Sequence, residues 1–198
     1  CVLSYFEPTY ARHVFPCFDE PYFKAKFSIQ LIHPSLPIYR ALSNTVQDYD
    51  ICDYPLEGLT STNFTLSPKM STYLVCFVIG EFESSQSVET ETGFNVSVYS
   101  RPSLVQNTIL ARDLALKVVQ YFGRYFCFDY PLPKLDLVAI PNSHISAMEN
   151  WGLITFRESV ILLEEGDYSC SELQRMVQVV SHELAHMWFG NLGEYQRI

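Results

Sequence analysis

The sequence predicts an α+β chain, with antiparallel β-structure over about the first hundred residues and a mixed α/β segment after it. Three observations carry this reading: period-2 apolar patterning confined to the first half, helical periodicity confined to the second, and dense turn signals separating the early segments. Phe23 to Ile32 alternates through Phe23, Ala25, Phe27, Ile29 and Leu31 and predicts a half-buried strand. Tyr73 to Ile79 is apolar on both faces and predicts an inner strand, and Phe94 to Val98 alternates again. His33-Pro34-Ser35, Pro37, Asp53-Tyr54-Pro55, Ser67-Pro68 and Ser84-Ser85 supply the turns, so the first half reads as an antiparallel sandwich or open sheet.

At Arg101-Pro102-Ser103 the pattern changes, which places a domain boundary between residues 1–100 and 101–198. Leu104, Thr108, Ala111, Ala115, Val118, Phe122 and Tyr125 fall at helical spacing and predict one helix over 103–125 with Ser103 as its N-cap. Leu135 to Ile140 and Trp151 to Phe156 predict buried strands. A last helix begins at Ser169 or Ser171, where Ser169-Cys170-Ser171-Glu172 fits a capping box, and Gly190 or Gly193 can close it.

The chain has 198 residues, 48% hydrophobic and 18% charged, which supplies a core and excludes intrinsic disorder. Its net charge of −9 opposes a phosphate-binding surface, so no nucleic-acid partner is expected. The longest apolar run, Tyr73 to Gly80, is too short to span a bilayer. Six cysteines, Cys1, Cys17, Cys52, Cys76, Cys127 and Cys170, lie far apart with no CxxC pair, so neither a zinc knuckle nor a dense disulfide framework is expected. Cys17 has no local base and reads as a packing residue; Asp19 and Glu20 read as turn or domain-contact residues. His13, His33 and His144 lack ligand spacing and read as surface or loop residues. Asn63-Phe64-Thr65 and Asn95-Val96-Ser97 are glycosylation sequons.

The chemistry concentrates in His182-Glu183-Leu184-Ala185-His186 on the last helix. Positions i and i+4 share a helix face, so both imidazoles can reach one Zn²⁺, and Glu183 beside them can act as a general base; an ordinary solvent-facing triplet is the competing reading. The longer HExxHxxGxxH pattern is excluded by Phe189 and Leu192 at its Gly and third His positions. Upstream stands Ser146-Ala147-Met148-Glu149-Asn150-Trp151-Gly152. From the residues alone, Glu149 is open to a substrate-ammonium role or a plain surface role, and Trp151 to packing.

Four segments in register resemble the GAMEN-motif zinc aminopeptidases with a thermolysin-like catalytic domain, nearest to the endoplasmic-reticulum and insulin-regulated members. They are Phe6-Glu7-Pro8-Thr9 with Ala11-Arg12 and Phe15 to Pro21, then Lys134 to Pro141, Glu149 to Phe156, and His182 to Leu192. The resemblance implies that residues 1–100 are the C-terminal portion of a saddle-like N-terminal β-domain and that 101–198 are an incomplete peptidase domain. It implies a zinc-dependent aminopeptidase that removes N-terminal residues by metal-activated attack of water. By it His182 and His186 are zinc ligands, Glu183 is the catalytic base, Glu149 holds the substrate's α-ammonium, and Ser146, Ala147 and Met148 border the substrate. Peptides with a free N-terminus are the implied partners; a membrane anchor outside this chain and a homodimer are compatible with the family.

The sequence also departs from that pattern. Ser146 stands where the motif has Gly, and Tyr5 where close members have a Gln at the substrate's N-terminus. The third zinc ligand, a Glu, and the transition-state Tyr both fall past Ile198, while Glu194 is too near His186 to replace that Glu. Likeness breaks after Leu192, which predicts an alternative exon, a retained intron or a truncated reading frame, and an inactive form that binds peptide or a partner without cleavage as the alternative function.

Overall fold

The computed structural model describes residues 1–90 and 92–193. They pack into two units, one of Cys1–Phe82 with Asn150–Leu153 and the described residues from Gly190, the other of Glu83–Glu149 with Ile154–Phe189.

The first unit is almost all β. One sheet has the order β1 (Val2–Leu3), β8 (Phe77–Glu81), β4 (Tyr39–Ser43); a second has β3 (Gln30–Pro34), β6 (Leu59–Phe64), β5 (Gln47–Cys52); a third is the pair β2 (Lys24–Ala25) and β7 (Met70–Ser71). All their pairings are antiparallel. The alternation of Phe23 to Ile32 is present but split. The Phe27 amide donates to Ser67 Oγ at 2.8 Å and its carbonyl accepts from the Ser67 amide at 3.0 Å, so Phe27 lies between β2 and β3 in neither ladder.

Tyr73 to Ile79 is not one strand: a 3₁₀ turn over Thr72–Leu74 precedes β8. The cause is Asn44, buried and saturated. Its Oδ1 accepts from the Cys76 amide at 2.8 Å, and its Nδ2 donates to the carbonyls of Leu74 at 2.8 Å and Trp151 at 2.9 Å. A side-chain amide thus replaces a neighbouring strand over Leu74 to Cys76 and holds Trp151 in the turn Asn150–Leu153. Gly152 in that turn sits at φ +83°, the left-handed value a type II turn demands at its third position.

His33, expected at the surface, is buried in β3, with Nε2 2.9 Å from Thr62 Oγ1 and Nδ1 3.0 Å from the Pro34 carbonyl. Asp19, 1% exposed, accepts from the Arg12 amide and Nε, both at 3.0 Å, and so ties the Cys17-Phe18-Asp19-Glu20 segment to the preceding 3₁₀ turn. Cys17 is half-buried, and burial, followed by the charge of Asp19, pushes its thiol up. Of the sequon asparagines, Asn95 is exposed, whereas Asn63 is half-buried in the central strand β6.

The second unit is a six-stranded sheet with helices. Its order is β10 (Val88–Glu89), β11 (Asn95–Ser100), β12 (Lys134–Ile140), β14 (Leu153–Arg157), β13 (Ala147–Met148), with β9 (Glu83–Ser84) also pairing β11. β11 and β12 are parallel, joined through α1 (Ile109–Phe126). That crossover needs a helix, which the periodicity after residue 103 supplied. The predicted helix is shorter than its pattern: Pro102–Thr108 is 3₁₀, and neither Ser103 nor any other side chain caps the start. Cys127 at φ 52° ends α1, and the Phe128 amide reaches the Gly123 carbonyl at 3.1 Å. α2 (Glu158–Ile161) is short; α3 (Cys170–Ala185) packs on α1.

At the start of α3 the capping box forms in full. Ser169 Oγ accepts from the Glu172 amide at 3.2 Å, and Glu172 Oε2 accepts from the Ser169 amide at 2.8 Å. The Ser169 hydroxyl also donates to Glu172 Oε2 at 2.7 Å, and that bond, followed by the one from the Ser169 amide, holds the Glu172 carboxyl below the usual carboxylate range. A lowered folded pKa contributes stability above the unfolded value and loses it as pH falls through the folded one. Ser169→Ala is therefore expected to cost about 1 kcal/mol at neutral pH, with the difference from wild type shrinking in acid, as checked by denaturant unfolding across that range.

Candidate metal centre

Helix geometry decides what α3 offers. At about 100° per residue, Met176, Val180, Leu184 and the following Met187 form one stripe, and all four are buried. Glu183 falls at the edge of that stripe and is 7% exposed, while His182 and His186 lie on the adjoining, more open flank. The ring nitrogens His182 Nε2 and His186 Nε2 stand 3.2 Å apart, with the rings edge to face. Two Zn–N bonds of about 2.0–2.1 Å spanning that distance meet at roughly 100–105°, close to a tetrahedral angle. His186 Nδ1 lies 3.2 Å from the Phe189 carbonyl. A proton held there turns the Nε2 lone pair of His186 towards His182, the outer contact that metal-binding histidines use to fix their tautomer.

Below His186 the helix widens into a π-helical stretch, Met187–Leu192. Trp188 anchors its start: Nε1 donates to the Phe128 carbonyl at 2.8 Å, and the indole packs on Phe122, Phe126 and Tyr130. Burial, reinforced by the charge of Asp136, keeps the Tyr130 phenol protonated well above its ordinary range.

The predicted substrate residues fall on the sheet. Ala147 and Met148 form β13, the outer strand, paired with β14 through Ala147↔Phe156 and Met148↔Thr155. Ser146 and Glu149 flank it, and β13 packs against α3. The structure thus brings His182, Glu183 and His186 together on one helix and sets the strand that leads into Glu149 beside that helix. Tyr5 belongs to the first unit, where its hydroxyl donates to Glu7 Oε2 at 3.0 Å. His144 and His13 are exposed and take no part in the pair. Glu194 lies outside the described residues. Among the described residues no third His, Cys, Asp or Glu joins the two imidazoles. The pair fits two corners of a zinc site by distance and donor type, and a third corner has to be filled from elsewhere.

Sequence reasoning missed Arg157, whose guanidinium Nη2 donates to the His144 carbonyl at 2.6 Å. It missed Trp188 as the anchor of the helix end as well. Nothing local marks either one, because both bonds join residues far apart in sequence.

The paired imidazoles thus stand on a helix next to a sheet-edge strand. Residues 110–196 match the Peptidase family M1 domain and residues 1–74 match the Peptidase M1 N-terminal domain. The chain belongs to peptidase family M1. It is 46% identical over 189 residues to endoplasmic reticulum aminopeptidase 1 of Homo sapiens, covering 94% of this chain and 19% of that protein. It is 42% identical to the puromycin-sensitive aminopeptidase of Caenorhabditis elegans and 44% to the glutamyl aminopeptidase of Sus scrofa, each over 187 residues, 94% of this chain and 19% of the relative. The chain spans about a fifth of the length of these relatives.

Trp188→Phe keeps an aromatic ring in the cluster and removes its one hydrogen bond. The expected loss is about 1 kcal/mol of unfolding free energy, measured by denaturant titration of the full-length protein.

Proposed function

We propose that the protein carrying this chain is a zinc-dependent aminopeptidase that removes N-terminal residues from peptides. The observation that carries this reading is the 3.2 Å separation of His182 Nε2 and His186 Nε2 on a helix that also buries Glu183 at their side. His182 and His186 would hold the ion, with a third ligand from outside the described residues. Zinc, when bound, supplies a Lewis acid that polarises a carbonyl and acidifies water.

The remaining steps belong to this chain's own side chains. Glu183, next to His182 on the helix, takes the proton of the attacking water and returns it to the amine nitrogen as the C–N bond breaks. The outer edge of β13, unpaired among the described residues, offers backbone groups to an extended peptide, which would add to the sheet as one more strand. Glu149, at the end of that strand, binds the α-ammonium. An internal peptide segment carries no such charge, so a carboxylate at a fixed distance from the scissile carbonyl selects chain ends. Ser146 adds a Cβ at the entrance of the same strand, where the related motif has none, and narrows the approach of the peptide backbone.

In the full-length protein we expect one zinc per chain by elemental analysis and chelator-sensitive release of arylamine from aminoacyl-arylamides. Glu183→Gln should keep the zinc and lower kcat by about 10²–10⁴-fold. His186→Ala should lose the zinc, and Glu149→Gln should raise KM. Absence of both zinc and turnover in the full-length wild type would overturn the peptidase reading in favour of a form that binds peptide without cleaving it.

A further inference from the structure

Among the described residues the two-residue strand β13 is at the edge of its sheet and pairs on one side only, an arrangement that frays unless its approach is fastened. Its approach is the loop 141–146. That loop opens with Asn142 at φ 53° and is braced internally by Ser143, whose Oγ donates to the Ile145 carbonyl at 2.9 Å and accepts from the Ile145 amide at 3.2 Å. The outer fastening comes from Arg157 on β14. The Arg157 amide donates to the Ser146 carbonyl at 2.9 Å, adding one rung to the ladder beyond Ala147↔Phe156. The Arg157 guanidinium then reaches two residues further back, donating from Nη2 to the His144 carbonyl at 2.6 Å.

Arg157 is itself well placed to act as a clamp. It ends β14, whose Leu153 to Phe156 are all buried, and the next residue, Glu158, receives a two-pronged pair from Arg101 at 2.7 and 3.0 Å. The fixed side is therefore β14 and the fastened side is the loop. A charge-assisted bond to a carbonyl is shorter and stronger than a neutral one, and this is one of the shortest polar contacts in the unit.

We propose that Arg157 is a positioning residue: by tying the His144 carbonyl it fixes the entry of β13 and hence the station of Glu149 along α3. The proposal rests on the reading of β13 and Glu149 as the docking edge for peptide, and it predicts a defect in substrate capture without a defect in chemistry. Arg157→Ala in the full-length protein should raise KM for aminoacyl-arylamides about tenfold, the lower end for loss of a charge-assisted hydrogen bond, with kcat and zinc content within twofold of wild type. Arg157→Lys, which can still donate one bond to His144, should recover part of the loss and serves in place of the Ala variant if that one does not fold. Amide hydrogen exchange over residues 143–148 should speed up about tenfold in the Ala variant and less in the Lys variant. Unchanged exchange in this segment would overturn the clamp, as would a fall in kcat or zinc at unchanged KM. Should the wild type show neither zinc nor turnover, the peptidase reading fails while the exchange measurement still decides whether Arg157 holds the loop.

Discussion

The second unit is organised by what α3 must do with its two sides. One stripe, Met176, Val180, Leu184 and Met187, has to be buried, and it is, with α1 packed alongside. α1 accommodates this by placing Ala111, Ala115, Val119 and Gly123 at four-residue intervals on its own buried side. Once that contact sets the rotation of α3, the directions of His182, Glu183 and His186 follow from helix geometry alone, with no further adjustment. The aromatic group around Trp188 then stops the far end from turning.

Glu183 shows how finely this rotation matters. One position further into the stripe, a carboxylate would be sealed among apolar side chains; one position further out, water would solvate it fully. At the stripe's edge it is almost covered, one residue from His182 and three from His186 along the helix. Under the proposed reading, a base at this position meets little competition from solvent for its charge.

The parts of the fold that were legible in the sequence are those fixed by local periodicity. α3, its capping box at Ser169 and the imidazole pair were readable because each needs only residues within one or two turns. β12, β14 and the crossover helix were readable for the same reason. What the sequence hid depended on distant partners. Asn44 breaks the expected strand at Leu74 to Cys76 by acting as a strand itself, and Ser67 interrupts the alternating run at Phe27. Local sequence makes His33 look like a surface residue because its partner, Thr62, is far away in sequence and adjacent only once β3 and β6 pair. Pro102 at the start of the 102–108 segment and the bond from Thr108 Oγ1 to the Val105 carbonyl at 2.6 Å accompany a 3₁₀ turn where the periodicity alone implied an α-helix.

Both imidazoles and Glu183 sit on one rigid rod, whereas Glu149 stands on a different element. A change that slides the rod, for example bulk added on the small-residue side of α1, carries the three helix groups as a body and leaves their mutual spacing untouched. What such a shift alters is the gauge between rod and strand. Errors of packing in this unit therefore surface first in the offset of Glu149 from the three helix groups, long before the interval between the two imidazoles itself is disturbed.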